Sequence, residues 1–188
     1  MMIRPLLLML LLALPACREE TAAIPQPLEA TAQTVGYFCQ MNVLEHSGPK
    51  GQIHLEGLPG APLFFSQVRD VVAYLRLPEQ SHRILATYVN DMGAAPSWSN
   101  PGTGNWVLID KVVFVVGSNM MGGMDAPELI PFTDPAKAHD FTLAHGGSVM
   151  NLADIPDADI FTAPETETDA DDPDYSARLR ALSPKAGG

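Results

Sequence analysis

Apolar and polar residues alternate at QIHLE (52–56), with Ile53 and Leu55 on one side and Gln52, His54 and Glu56 on the other. That two-residue period predicts a strand. Gly57, Pro59 and Gly60 form a turn, and PLFF (62–65) reads as a second short strand. The period then changes. In SQVRDVVAYLRL, residues Val68, Val71, Val72 and Leu75 recur at i, i+3, i+4 and i+7, which predicts a helix with one apolar stripe, capped by Ser66 and ended by Pro78. RILATYVN (83–90) returns to strand.

The second half repeats the order. WVLIDKVVFVVGS (106–118) is rich in β-branched residues and predicts a strand. The turn NMMGGMDAP leads to a short strand, ELIPF. A helix follows in TDPAKAHDFTLAH, with Thr133 or Asp134 as cap and Pro135 near its start, where proline is tolerated. Gly146 and Gly147 end it, and SVMNL (148–152) begins the last strand. GAPLFFSQVRDVVAYL and DAPELIPFTDPAKAHDF share Ala-Pro, a short apolar strand, a cap and a helix. The fold class expected is α+β: two strand–strand–helix–strand (ββαβ) units, at roughly 36–90 and 106–155, packed as one body (36–155). The Gly/Pro/Ser/Asn-rich stretch 91–105 is a loop within that body, because each half is too small to bury a core comfortably alone.

The ends differ in character. MMIRPLLLMLLLALPACREE has one arginine, an unbroken apolar run from Leu6 to Leu14, and a cysteine. The run is too short to span a bilayer and has the layout of a secretory signal peptide. Leu14-Pro15-Ala16-Cys17 looks like the lipobox of bacterial lipoproteins, which makes 1–16 the signal peptide and Cys17 the lipidated first residue of the mature chain. Arg18 after the lipidated cysteine favours the outer membrane by the same resemblance. Residues 17–35 read as a flexible lipidated tether, in which 18–34 would reach roughly 50–60 Å when extended. Residues 156–188 read as a disordered acidic tail. Nine carboxylates and no Lys or Arg lie between Asp154 and Asp174, and net charge is −11. That balance makes nucleic acid and anionic membrane surfaces poor partners.

With Cys17 lipidated, Cys39 is the one remaining cysteine and has no partner for an intramolecular disulfide. It stands two residues before Met41 in YFCQMNVLEHSG (37–48). In an extended segment, C-x-M points both side chains to the same side, and soft sulfur donors select Cu(I). Taken alone, the pair reads as a buried small hydrophobe beside a core filler. Two features alter that reading. An unpaired thiol must survive an oxidising compartment, and SNMMGGMDAPELIPF places Met120, Met121 and Met124 around a glycine turn, where a core role explains them poorly. They serve there either as ligands or as an adaptable contact patch. His54 and His46 are further candidates for the coordination, each read as a solvent-facing histidine first. Arg69 and Arg83 read as solvated charges. C-x-x-C, a phosphate loop and an oriented catalytic triad are absent from the sequence.

FCQM, APLFFSQVRDVVAYL, the spacing of Trp98, Asn100, Pro101, Gly102 and Trp106, and VVGSNMMGGMDAPELIPF with its following AHGG together resemble the accessory lipoproteins of nitrous-oxide reductase, the NosL copper chaperones. The resemblance implies a periplasm-facing membrane lipoprotein that is not an enzyme and binds one Cu(I). It also implies copper delivery to the maturation machinery of nitrous-oxide reductase: a periplasmic accessory protein, an ABC transporter and ultimately the enzyme. By position, Cys39 and Met41 match the family's C-x-M and Met124 the methionine before E-L-I-P-F, while Met120 and Met121 are additional. The family fold, two ββαβ units similar to a module of organomercurial lyases, agrees with the repeat. Two rivals stand beside this reading: a metal-free lipoprotein that scaffolds a periplasmic complex, and a thiol enzyme acting on soft-metal compounds.

Overall fold

A computed structural model describes residues 23–80 and 82–161. The readings of the signal peptide, of Cys17 and of most of the acidic tail lie outside the described residues. Among the described residues no helix is long and apolar enough to cross a membrane.

The first unit comprises β1 (Gly51–Leu55), β2 (Leu63–Phe65), α1 (Val68–Arg76) and β3 (Ile84–Asn90). β1 is central and antiparallel to both β2 and β3. After β4 (Trp106–Leu108), the second unit comprises β5 (Val113–Val116), β6 (Ile130–Phe132), α2 (Pro135–His145) and β7 (Ser148–Met150). There β5 is central and antiparallel to β6 and β7. The sheet orders, β2-β1-β3-β4 and β6-β5-β7, place the first strand of each unit between its second and last. The fold is the α+β pair of ββαβ units that the repeat predicted.

One core spans the units. Ile53, Leu55, Phe65 and Val89 from the first sheet meet Val68, Val71, Val72 and Tyr74 of α1, and Phe114, Val116 and Leu129 join from the second unit. β5 alternates as a two-sided strand must: Phe114 and Val116 face this core, while Val113 and Val115 face a smaller cluster with Ile130, Phe132 and Ala138.

Three details depart from the sequence reading. The apolar run 106–118 is not one strand. A 3-10 turn at Ile109–Lys111 breaks it, turning Ile109 and Val112 into the core and leaving Asp110 and Lys111 in solvent. As a result β4 extends the first sheet while β5 founds the second. Ser66 does not cap α1. The amide of Arg69 donates instead to Glu128 Oε1 of the second unit, 2.9 Å away. Arg69 is buried, its Nε donating to Ile160 O (2.8 Å), so it is not a solvated charge. Arg83 is solvent-exposed as expected and pairs with Glu56.

Both ends of the body run further than the sequence suggested. At the C-terminal side, α3 (Ala158–Phe161) lays Ile160 into the main core, and Asp157 pairs with Arg76 at 2.5 Å. At the N-terminal side, the described part of the expected tether lies across the first sheet. The Gln52 side-chain amide donates to Leu28 O (2.8 Å) and accepts from Leu28 N (2.9 Å), and Tyr88 Oη donates to Pro25 O (2.8 Å). Gln52 and His54, read as facing water, are therefore buried beneath this strap.

Candidate metal centre

The loop carrying Cys39 is closed by its own backbone. Gly36 N donates to Met41 O (2.8 Å) and Gln40 N to Gly36 O (2.9 Å), with Gln40 in the left-handed region at φ 56°. The Gln40 side chain donates to Tyr37 O (2.7 Å) and fastens the turn. Cys39 Sγ lies 3.1 Å from Ser66 Oγ, just before α1. Gly36 is needed there, because a Cβ on it would meet Cys39 Sγ at 2.5 Å and Ser66 Oγ at 2.9 Å. Met41 is 43% exposed, and Tyr37 and Phe38 stack beside the loop against Phe65 and Tyr74.

The methionine turn of the second unit arrives at the same place. Gly122 N donates to Ala126 O and Asp125 N to Gly122 O, making a tight reversal. The turn docks through three contacts. His46 Nδ1 donates to Gly123 O (2.6 Å), Met124 N donates to Gln67 Oε1 (3.3 Å), and a Cβ on Gly123 would sit 2.9 Å from Ser66 O and 2.5 Å from His46 Cβ. Gln67 is aimed by its other arm, whose Nε2 donates to Asp70 Oδ1 (2.9 Å). Both glycines therefore allow a close approach that a side chain would block. Ser66 is the hinge of the arrangement: its hydroxyl touches the thiol and its carbonyl backs the methionine turn.

A carbonyl oxygen only accepts hydrogen bonds, so the Nδ1 of His46 is the donor to Gly123 O and its Nε2 is the ring nitrogen left over. That Nε2 is buried without a partner. His54 stands elsewhere. It lies under the strap, its Nε2 donating to Gln52 Oε1 (3.0 Å) and its ring edge-on to Tyr88, with burial depressing its pKa. The expectation of a solvent-facing His54 is thus corrected, and the histidine at the junction is His46. Met121 and Met124 are exposed, whereas Met120 is partly buried against the smaller core cluster. Among the described residues, no three of His, Cys, Asp and Glu stand close enough to share an ion.

Behind the turn are two buried ionisable groups that sequence reasoning missed, Glu128 and Lys50. Glu128 is fully buried. Its Oε1 accepts from the amides of Arg69 and Leu129, and its Oε2 has no partner. Burial pushes its carboxyl up to about 8 against the opposing pull of those amides and Lys50. Lys50 is buried too, with Nζ donating to Ser47 O and Gly48 O, and desolvation brings it down to about 8. The one available sequence signal was the acid in PELIPF, a charge at the mouth of a buried strand.

An α+β body of two ββαβ units that brings a thiol, a thioether-rich turn and an imidazole together at their junction has the makings of a soft-metal-binding protein. The profile of the NosL family matches residues 27–160, and the chain belongs to that family. It is 57% identical over 178 residues to the copper-binding lipoprotein NosL of Achromobacter cycloclastes, covering 93% of this chain and 92% of that one. It is 26% identical over 142 residues to the copper-binding lipoprotein NosL of Stutzerimonas stutzeri, covering 75% and 72% of the two chains. Its fold superposes on the crystal structure of the copper chaperone NosL from Shewanella denitrificans with a TM-score of 0.65 and 27% identity, over 71% of this chain and 97% of that one.

Proposed function

We propose that this protein is a periplasm-facing lipoprotein, anchored through Cys17 and sorted to the outer membrane, that carries Cu(I) as cargo and performs no catalysis. Cys39 and Met41 of the first unit and Met124 of the second hold the ion. The copper is delivered for maturation of nitrous-oxide reductase through a periplasmic accessory protein and its ABC transporter. The supporting observation is the docking of the methionine turn on Ser66, whose hydroxyl lies 3.1 Å from the Cys39 thiol. The relatives' names, copper-binding lipoprotein and copper chaperone, support the cargo.

In mechanism, the chain's own residues set the balance between holding and releasing. The Ser66 hydroxyl can donate to the thiolate and steady its lone pairs, as outer partners of metal ligands do. Met41 and Met124 are both exposed, which leaves a side open for an incoming donor. A partner's ligand adds there before Cys39 lets go, so the ion passes by exchange and is never free. Titration with Cu(I) against a chromophoric chelator tests the reading. The parent is expected to withdraw one equivalent of copper and Cys39→Ser none. Equal withdrawal by both would refute the thiol's role.

One observation favours the scaffold reading: Tyr37, Phe38 and Met41 on the cysteine loop and Met121 on the methionine turn are all exposed. Absence of any copper uptake by the parent, with partner capture intact, would decide for it.

A further inference from the structure

We infer that the face formed by residues 23–35 and the loop 92–105 rests on the lipid bilayer, with the docked strap acting as a short mount rather than a long spacer. The inference takes from the proposed function only the lipid on Cys17. Phe64 on β2, Gln52 on β1 and Tyr88 on β3 are paired neighbours in one row across the first sheet, so they share a face. The strap follows that row. Tyr37 N donates to Phe64 O (2.6 Å), the Gln52 amide holds both backbone groups of Leu28, and Tyr88 Oη holds Pro25 O. Further along, the Glu29 carboxylate accepts from Gly104 N (2.9 Å), which ties the strap to the loop.

This docking shortens the reach. The first pinned residue is Pro25, and the chain from Cys17 to Pro25 spans at most about 27 Å, roughly half of what an undocked 18–34 would reach. Charge points the same way. In a chain of net charge −11, the stretch from Met92 to Asn105 carries no ionisable side chain, and Glu29, bound to Gly104, is the one charge among residues 23–35. Ile24 and Leu28 meanwhile stand exposed on the strap. A partly apolar face whose charges are the Glu29 carboxylate and the Lys137 ammonium, which donates to Gly93 O on the loop (2.6 Å), can approach an anionic bilayer beside a short anchor with less repulsion than the acidic rest of the surface would meet.

Trp98 in the loop and Trp106 just after it give a native readout. The full-length lipidated protein is placed in phosphatidylethanolamine/phosphatidylglycerol vesicles carrying a dansyl headgroup, and energy transfer from tryptophan is measured after flotation. Transfer is expected to be strong for the parent. It should fall by roughly half or more when Gln52→Leu and Tyr88→Phe release the strap, or when about twelve Gly/Ser residues are inserted after Cys17, which lengthens the anchor without touching the body. Parent protein that floats but transfers no better than the lengthened chain would overturn the mount alone. Protein that fails to float would overturn the lipid on Cys17 and the mount with it.

Discussion

Helices α1 and α2 occupy equivalent places in the two units, yet α1 buries five of its nine residues and α2 one of its eleven. The first unit is built to bear load: its helix lies in the main core, its sheet has a fourth strand, and its far face is closed by the strap. The second unit is a thin layer. Its own cluster is small, and α2 leaves Leu143 75% exposed. Capping follows the same division. Asp134 caps α2 from within, accepting from Ala136 N, whereas α1 relies on Glu128 across the junction. Duplication of a motif therefore does not imply duplication of its role. One copy supplies rigidity, and the other presents a methionine turn to it.

The largest expected effect lies in the first unit's core. Phe65 is almost wholly buried, and Phe65→Ala should destabilise the protein by about 3–5 kcal/mol in urea unfolding. A cost no greater than that of a surface change would break the comparison. At the junction, Ser66→Ala and Gly123→Ala are expected to weaken Cu(I) binding by roughly ten- to a hundredfold in chelator competition while circular dichroism stays native. The first removes the hydroxyl beside Cys39, and the second pushes the turn off Ser66 and His46.

A smaller effect concerns pH. The folded Glu128 carboxyl titrates at about 8 against an ordinary 4.5, so the folded state holds its proton more tightly and stability declines as pH rises from about 4.5 to about 8. Lys50 titrates at about 8 against 10.5, so the folded state binds its proton less tightly, and stability recovers as pH rises from about 8 to about 10.5. Melting temperature should pass through a minimum near pH 8. Glu128→Gln is expected to flatten the acid side and Lys50→Met the alkaline side, and a monotonic profile in the parent would contradict both assignments. The smallest effect belongs to the second unit's helix: Leu143→Ala should change stability by no more than about 0.5 kcal/mol in the same urea experiment.

Periodicity made most of the fold legible. The stripe Val68, Val71, Val72 and the alternation around Ile53 named the inward faces correctly, because burial of apolar surface is what those patterns record. Polar positions were read less well. Gln52 and His54 sit on the side of β1 opposite the core, and nothing in a local pattern says that a strap from 24 residues upstream covers them. The break at Ile109–Lys111 was hidden for a related reason: a run of β-branched residues fits two short strands in different sheets as well as one long strand. Cys39, Met41 and the methionine turn stood out as soft donors from their chemistry, and the family resemblance matched Cys39, Met41 and Met124 to ligand positions. Their convergence through Ser66, Gln67 and His46 depends on tertiary contacts between residues as far apart as His46 and Gly123, which no spacing encodes.

The central claim is that one Cu(I) is shared across the junction, with ligands from both units. Copper K-edge absorption on the Cu(I)-loaded parent and on Met124→Ala measures this most directly. The parent is expected to show a first shell dominated by sulfur, and the variant a shell with one sulfur fewer. An unchanged sulfur shell in Met124→Ala would mean that the first unit holds the ion alone, and the account of the methionine turn would fall.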